Sequence, residues 1–360
     1  MNTLRILVIN PGSTSTKLAY FEGGERVSED TIEHDADDLD RFPDIASQQD
    51  YRMEAVVRFM EGHGIKPGSL DAVAARGGLL KPVESGVYRV TGQMVEDLKG
   101  SRARMGREHA SSLGCMLALK LSEKSGVPAF TADPVTVDEL DDVARVSGVP
   151  EIERRSQMHA LNIKAVVRLA AARFGLSIPE TNFVVAHIGG GISVAAVMGG
   201  RIVDVNNALL GMGPFSPQRA GALPIGDLVA MAYSGKYDRR SLENKLVKEG
   251  GLMGYLGTSD TREVERRIET GDKKAGLVYD AMAYQISKEI AAMSAVLCFR
   301  VDAVLVTGGA ARSDKLAGMI RERVGRIARV KVFPGEHEMD ALAYYAAAAL
   351  TGEEDVRVYG

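Results

Sequence analysis

Three short stretches of this chain carry groups suited to binding phosphate or carboxylate. The first is Asn10-Pro11-Gly12-Ser13-Thr14-Ser15-Thr16-Lys17. Hydroxyls and backbone N–H groups bind anionic oxygens and the Lys17 amine adds charge, so Asn10, Ser13, Ser15 and Lys17 suit a polyphosphate. It is not a Walker loop, which opens a helix with Gly-Lys-Ser/Thr; here Lys17 begins a strand-like run. Composition alone leaves a phosphate site and an ordinary Ser/Thr-rich turn both open. The second stretch, Gly189-Gly190-Gly191, lacks the third glycine of the dinucleotide fingerprint, whose place is taken by Val194, and strand alternation follows it instead of a helix. Phosphate approach and a plain tight hairpin remain. In the third, Thr307-Gly308-Gly309 follows an apolar run and opens a helical pattern, where backbone could meet a nucleotide.

The elements that must position these stretches follow from periodicity. Leu4 to Asn10 and Lys17 to Phe21 alternate by strand period and end in a Gly23-Gly24 turn. A similar order recurs at Asn182 to His187, Ile192 to Val197 and Gly199-Gly200. Two such hairpins about half a chain apart predict two related α/β domains facing each other across a cleft. Three- and four-residue apolar spacing predicts helices at Tyr51 to Glu61, Arg107 to Lys124, Leu161 to Phe174, Ile225 to Ser234, Ser241 to Lys248, Thr261 to Glu269, Lys273 to Phe299 and Ala341 to Leu350. The carboxylates of Glu29 to Asp44 have no fixed ligand spacing and read as a solvated connection.

Composition narrows the function. The 360 residues predict about two domains; 44 basic against 48 acidic side chains give a net charge of −4, so no global field draws nucleic acid or anionic lipid. Cys115 and Cys298 are the only cysteines, both in helix-like runs, too few for a disulfide scaffold or a structural zinc site. The chain enters a strand-like run without a basic, then apolar leader, which predicts a cytoplasmic protein. Phe183 to Gly200 is uncharged but carries His187, Ser193 and glycines, and reads as a hairpin, not a membrane span.

Seven ordered motifs bring a family into view: Asn10 to Lys17, Ala75-Arg76-Gly77-Gly78-Leu79-Leu80, Asp133-Pro134-Val135, Met158-His159-Ala160-Leu161-Asn162, His187-Ile188-Gly189-Gly190-Gly191, Arg219-Ala220-Gly221 and Pro334-Gly335-Glu336. Over essentially its whole length the chain resembles the acetate and butyrate kinases of the sugar-kinase, chaperone-ATPase and actin superfamily. The resemblance implies two RNase-H-like domains with an ATP cleft between them, the actin-like ATPase fold. We place them at 1–155 plus 340–360 and at 156–339. It further implies ATP and Mg2+, a small carboxylate such as butyrate or isobutyrate as acceptor, and a homo-oligomer, dimer or higher. Acetate or propionate as acceptor, and a non-catalytic ATP-binding module, are the alternatives.

A carboxylate is already ionised at neutral pH and needs no general base to attack phosphorus; the obstacle is repulsion between two anions. Arg76 and Arg219 suit that task, since a guanidinium clamps oxygens with two parallel bonds. By the resemblance, His159 and His187 are active-site histidines, Asp133 joins the catalytic set, and Gly189, Gly190, Gly191, Gly308 and Gly309 bind nucleotide. Asn10 and Glu338, with Glu336 as an alternative to the latter and Asp133 as a further candidate, are the expected magnesium ligands. Gly77 and Gly78 lack side chains and Met158 is flexible, which predicts a pocket deep enough for four carbons.

Overall fold

The computed structural model describes residues 3–106 and 108–360, the side chain of Met105 excepted. Among the described residues, twelve strands form two sheets: β1 Arg5–Pro11, β2 Ser15–Glu22, β3 Glu25–Glu33, β4 Ala72–Ala75, β5 Val87–Arg89, β6 Ala129–Ala132, β7 Asn182–Ile188, β8 Ile192–Met198, β9 Arg201–Val205, β10 Ala303–Gly308, β11 Val330–Pro334 and β12 Val356–Arg357. The chain divides into one unit of Met1–Val137 with His337–Gly360 and a second of Asp138–Glu336.

In the first unit the sheet order is β12-β5-β6-β4-β1-β2-β3; in the second it is β11-β10-β7-β8-β9. The cores of the two are the same design. β1, β2 and β3 form an antiparallel meander, as do β7, β8 and β9, while β4 joins β1, and β10 joins β7, in parallel. Each meander carries a register shift between its second and third strands, at Tyr20/Phe21 and at Ala196/Val197. The internal similarity of the two hairpins thus extends to a whole sheet order.

The strands β1 and β7 are buried almost throughout because helices cover the sheets. In the first unit the helices Gln49–Gly62 and Ser112–Ser125 pack Met53, Val56, Phe59, Leu113, Leu117 and Leu121 into a core with Leu7, Ile9 and Val73. In the second, the 24-residue helix Lys273–Val296 turns Val278, Met282, Ile286 and Ile290 towards Val194, Ala196 and Val304. Among the described residues, no helix is long and apolar enough to cross a membrane.

Several expectations shift. The division falls after Val137, not near residue 155, because residues 138–155 bind β9: Asp141 N–H donates to Val203 O at 3.0 Å, Ile202 N–H donates to Glu139 at 2.9 Å, and Arg154 pairs with Asp204 at 2.7 Å. The start of the Glu29 to Asp44 stretch is not a free connection but the end of the edge strand β3, where Glu29 pairs with Lys17. The long helix ends at Val296, and exposed Cys298, with φ 52°, lies beyond it, whereas Cys115 is buried within its helix. The helix expected from Arg107 begins at Ser112, and Arg107 lies outside the described residues.

Candidate active site

In the first unit the candidate residues stand at the C-terminal ends of β1, β4 and β6, the side of a parallel sheet where ligands bind in such folds. Asn10 is near the end of β1, and Arg76 directly follows β4, its N–H bonded to Ile9 O at 3.1 Å. Both reach the same carboxylate. Asn10 Nδ2 donates to Glu338 Oε2 at 3.0 Å, and an Arg76 terminal nitrogen stands 3.1 Å from that oxygen. Glu338 opens the helix Glu338–Thr351 and is 2% exposed, so its charge is fixed in place. The Asn10 side-chain carbonyl and the second Glu338 oxygen have no hydrogen-bond partner among the described residues. Two hard oxygens that remain available fit Mg2+, which takes one or two protein groups and keeps water on its other positions.

The glycines after Arg76 let the backbone pack closely. A Cβ on Gly77 would lie 2.7 Å from Pro134 Cβ and 2.9 Å from Thr131 Oγ1, and one on Gly78 would lie 2.4 Å from Ser112 Cα. Gly114, across the helix interface, would place a Cβ 2.3 Å from Arg76 O. Asp133 follows β6 with φ 41° and is 1% exposed. It accepts from Ser85 Oγ at 2.6 Å, Gly86 N at 3.0 Å and Tyr345 Oη at 2.7 Å.

The hairpin tip between β1 and β2 rests on Arg52. This side chain is fully buried in the helix Gln49–Gly62 and donates to the carbonyls of Gly12 (3.1 Å), Ser13 (2.9 Å) and Ser15 (2.7 Å) and to Thr16 Oγ1 (3.1 Å). Thr16 Oγ1, which accepts from Arg52, also shares a hydrogen bond with His34 Nε2 at 2.8 Å. Burial first, then the guanidiniums of Arg52 and Arg58, push His34 down from 6.5 to about 4, so the ring is neutral at pH 7.

In the second unit the same strand ends carry different groups. The rings of His159 and His187 stack with centroids 3.9 Å apart and planes 14° from parallel. His159 Nδ1 shares a hydrogen bond with Ser193 Oγ at 2.8 Å, and His187 Nδ1 one with Asn162 Oδ1 at 2.9 Å, so both rings are held by their δ nitrogens. Between β7 and β8, Gly189 N–H bonds to Gly191 O at 3.0 Å, and Ser216 Oγ donates to Gly190 O at 2.6 Å while accepting from Arg219 N–H at 3.0 Å. Arg219 also donates to Ala208 O and lies against Gly191, where a Cβ would come 2.1 Å from its terminal nitrogen. Gly308, with φ 94°, exchanges backbone bonds with Gly335 and would place a Cβ 2.3 Å from Ile188 O; a Cβ on exposed Gly309 would meet no other described residue within 4 Å.

With this geometry in hand, the similarities to known proteins become specific. Residues 150–358 match the model of the Acetokinase family. Over 356 residues, 99% of either chain, the sequence is 50% identical to "Probable butyrate kinase 2" of Caldanaerobacter subterraneus subsp. tengcongensis. The chain belongs to the acetokinase family. Among solved structures, the acetate kinase of Porphyromonas gingivalis superposes with a TM-score of 0.79 at 18% identity, covering 96% of this chain and 99% of the other. A propionate kinase from Francisella tularensis gives 0.76 at 17% identity, covering 95% and 98%. These likenesses give the fold: the actin-like, two-domain ATPase architecture of mixed α/β type.

The expected residues fall into distinct settings. Asn10, Arg76 and Glu338 come together, whereas Glu336 is exposed. Ser13 is exposed and Ser15 half-buried at the hairpin tip, but Lys17 points to Glu29, with which it pairs at 3.1 Å. Asp133 is engaged by three donors of its own unit instead of joining the Asn10 and Arg76 cluster. The deep pocket expected beside Gly77 and Gly78 is a correction: Pro134, Thr131 and Ser112 occupy that space, so these glycines serve packing. Sequence reasoning missed Arg52 and Ser216, which hold the two hairpin tips.

Proposed function

We propose that this chain is an ATP-dependent carboxylate kinase, transferring the γ-phosphoryl group of ATP reversibly to butyrate or a similar short or branched acid. The observation that carries the reading is the convergence of Asn10 and Arg76 on buried Glu338, next to a hydroxyl-rich hairpin tip. The acceptor follows from the name of the relative that is 50% identical over the whole chain.

A carboxylate oxygen of the acid attacks the γ-phosphorus, the bond from that phosphorus to the bridging oxygen of ADP breaks, and no proton is transferred. Arg76, steadied by Glu338, orients the acid and offsets its charge. Arg219, fixed against Gly191 and Ala208, and the His159 ring, anchored by Ser193, donate to the oxygens of the phosphoryl group in transfer, while His187, its Nδ1–H given to Asn162 Oδ1, backs the stacked His159 ring beside the nucleotide. Ser13, Ser15, the Gly189 to Gly191 loop, Gly308 and Gly309 bind nucleotide, with Lys17 adding charge from its ion pair with Glu29. Mg2+, held by Asn10 and Glu338, supplies charge neutralisation to the phosphate oxygens when bound. Asp133 fixes Ser85, Gly86 and Tyr345 and acts by positioning.

The protein is proposed to work in the cytoplasm as a homo-oligomer. The helix Ile225–Ala232 supports the assembly: it buries none of its residues, and Ile225 and nearby Tyr233 are 76% and 88% exposed.

The test incubates the protein with ATP, Mg2+, hydroxylamine and acetate, propionate, butyrate or isobutyrate, scoring hydroxamate. Two further buried methylenes contribute about 0.8 kcal/mol each, so kcat/KM for the four-carbon acids should exceed that for acetate about tenfold. Equal or better use of acetate would make this an acetate kinase, and ATP binding without hydroxamate from any acid would refute catalysis.

A further inference from the structure

Arg52 is a buried cation without an anionic partner. It is 0% exposed, and among the described residues no carboxylate stands within ion-pair distance of it. Burying a charge is costly unless its hydrogen bonds are met, and an apolar side chain of similar volume would fill the same space at lower cost. Its bonds are met here by oxygens. Four come from the β1–β2 tip: the carbonyls of Gly12, Ser13 and Ser15 and the Thr16 hydroxyl. The fifth is Gln48 Oε1, which accepts from Nε at 3.3 Å and from a terminal nitrogen at 3.1 Å.

This has a consequence for the outer side of the tip. The remaining carbonyl of the loop, on Thr14, accepts from His34 N–H at 2.8 Å, so every carbonyl from Gly12 to Ser15 is occupied. The N–H groups of Ser13 and Thr14, and the hydroxyls of Ser13, Thr14 and Ser15, have no partner among the described residues. The tip therefore offers N–H groups and hydroxyls but no free carbonyl, over a guanidinium whose charge no carboxylate among the described residues cancels. Such a surface selects anions through both hydrogen bonding and potential.

We propose that Arg52 is the positioning residue of the phosphate-binding hairpin: it draws the loop carbonyls inward, leaves the donors facing the phosphoryl end of the nucleotide, and adds an uncancelled positive charge beneath it. The inference rests on the nucleotide reading of this loop, though not on the identity of the acid. Arg76 and Arg219 are held by other groups, Glu338 and Ala208, and neither bonds to this loop, so Arg52 is a separate source of positive potential.

The experiment measures ATP binding by calorimetry in the absence of any acid, alongside the KM of the acid in the hydroxamate assay. Arg52→Lys keeps the charge but cannot span four loop oxygens. It should weaken ATP binding about tenfold while the acid's KM stays within twofold, and Arg52→Met should weaken ATP binding further. ATP affinity within twofold of wild type in folded Arg52→Lys would overturn the proposal, as would an equal rise in the KM of the acid. Should both variants fail to fold, Gln48→Ala decides: it keeps the cation and removes one anchor, so ATP binding should weaken several-fold, and unchanged affinity overturns the proposal. A wild type that binds ATP but phosphorylates no acid refutes the kinase reading and leaves this comparison intact.

Discussion

Gly191→Ala tests the setting of Arg219 without touching the arginine itself. Gly191 has an ordinary backbone conformation, so alanine adds no backbone strain. Its new Cβ would meet an Arg219 terminal nitrogen at 2.1 Å and Cζ at 2.8 Å, with Ala208 O at 3.1 Å. Non-bonded atoms settle at about 3.5 Å or more, so the guanidinium must retreat by more than about 1 Å. The cost to stability should be small, about 1 kcal/mol, because the obstructing atoms end a flexible side chain. The cost to turnover should be larger. A charge-stabilising donor displaced by about 1 Å loses its preorganisation, worth about 3 kcal/mol or roughly a hundredfold in kcat. The hydroxamate assay with butyrate, run beside thermal unfolding, separates the two effects. If the effect passes through Arg219, Gly191→Ala combined with Arg219→Ala should be no slower than Arg219→Ala alone. Wild-type turnover in Gly191→Ala, or full additivity in the double variant, would refute the assignment of Arg219.

Three further outcomes follow from single groups. Glu338→Gln keeps the volume but removes the charge shared by Arg76 and the proposed cation, so kcat should fall about tenfold to a hundredfold and half-saturating Mg2+ should rise; unchanged magnesium dependence would remove Glu338 from that role. His34, at about 4 when folded, gains its proton near 6.5 when unfolded, so the unfolded chain binds more protons between these values and stability falls as pH drops from 6.5 towards 4. The urea midpoint should fall between pH 7.5 and pH 5 less steeply in His34→Asn than in wild type, and parallel slopes would contradict the burial of a neutral ring. Burial pushes the Cys115 thiol up to about 12, whereas Cys298 is exposed, so iodoacetamide at pH 8 should label one thiol in the native protein and two in denaturant; rapid labelling of both would show the first core to be open.

What the sequence could reveal was local or repeated. Strand alternation on either side of Gly12 and of Gly189 disclosed both hairpins, and the matching turns at Gly23 and Gly199 pointed to the doubled sheet order. Arg52 was hidden for the opposite reason. It lies within an ordinary helix, 36 to 40 residues from the loop it holds, and a single arginine in such a segment reads as a surface charge. The choice between Glu336 and Glu338 was equally closed to pattern, since the two carboxylates stand two residues apart ahead of one helical run and only folding brings Glu338 to Asn10 and Arg76. Gly77 and Gly78 misled because a missing side chain does not tell whether a ligand or the protein fills the space. Here Ser112 and Pro134 fill it, and neither is near in sequence.

With both hairpin tips proposed as phosphate sites, the same strand order meets one physical problem in two ways. A tight turn between antiparallel strands exposes carbonyls as well as N–H groups, and carbonyls repel an anion that the N–H groups attract. In the first unit a buried guanidinium collects the carbonyls of Gly12, Ser13 and Ser15. In the second a hydroxyl, Ser216, takes Gly190 O, and Gly189 N–H takes Gly191 O, while the guanidinium of Arg219 occupies the space left by the missing Gly191 side chain. The difference in means fits the difference in sequence. The first tip carries its own hydroxyls and needs only its carbonyls withdrawn. The second is three glycines with no side-chain donor, so its positive charge is brought by a neighbouring segment, pinned by the same Ser216 that holds the loop.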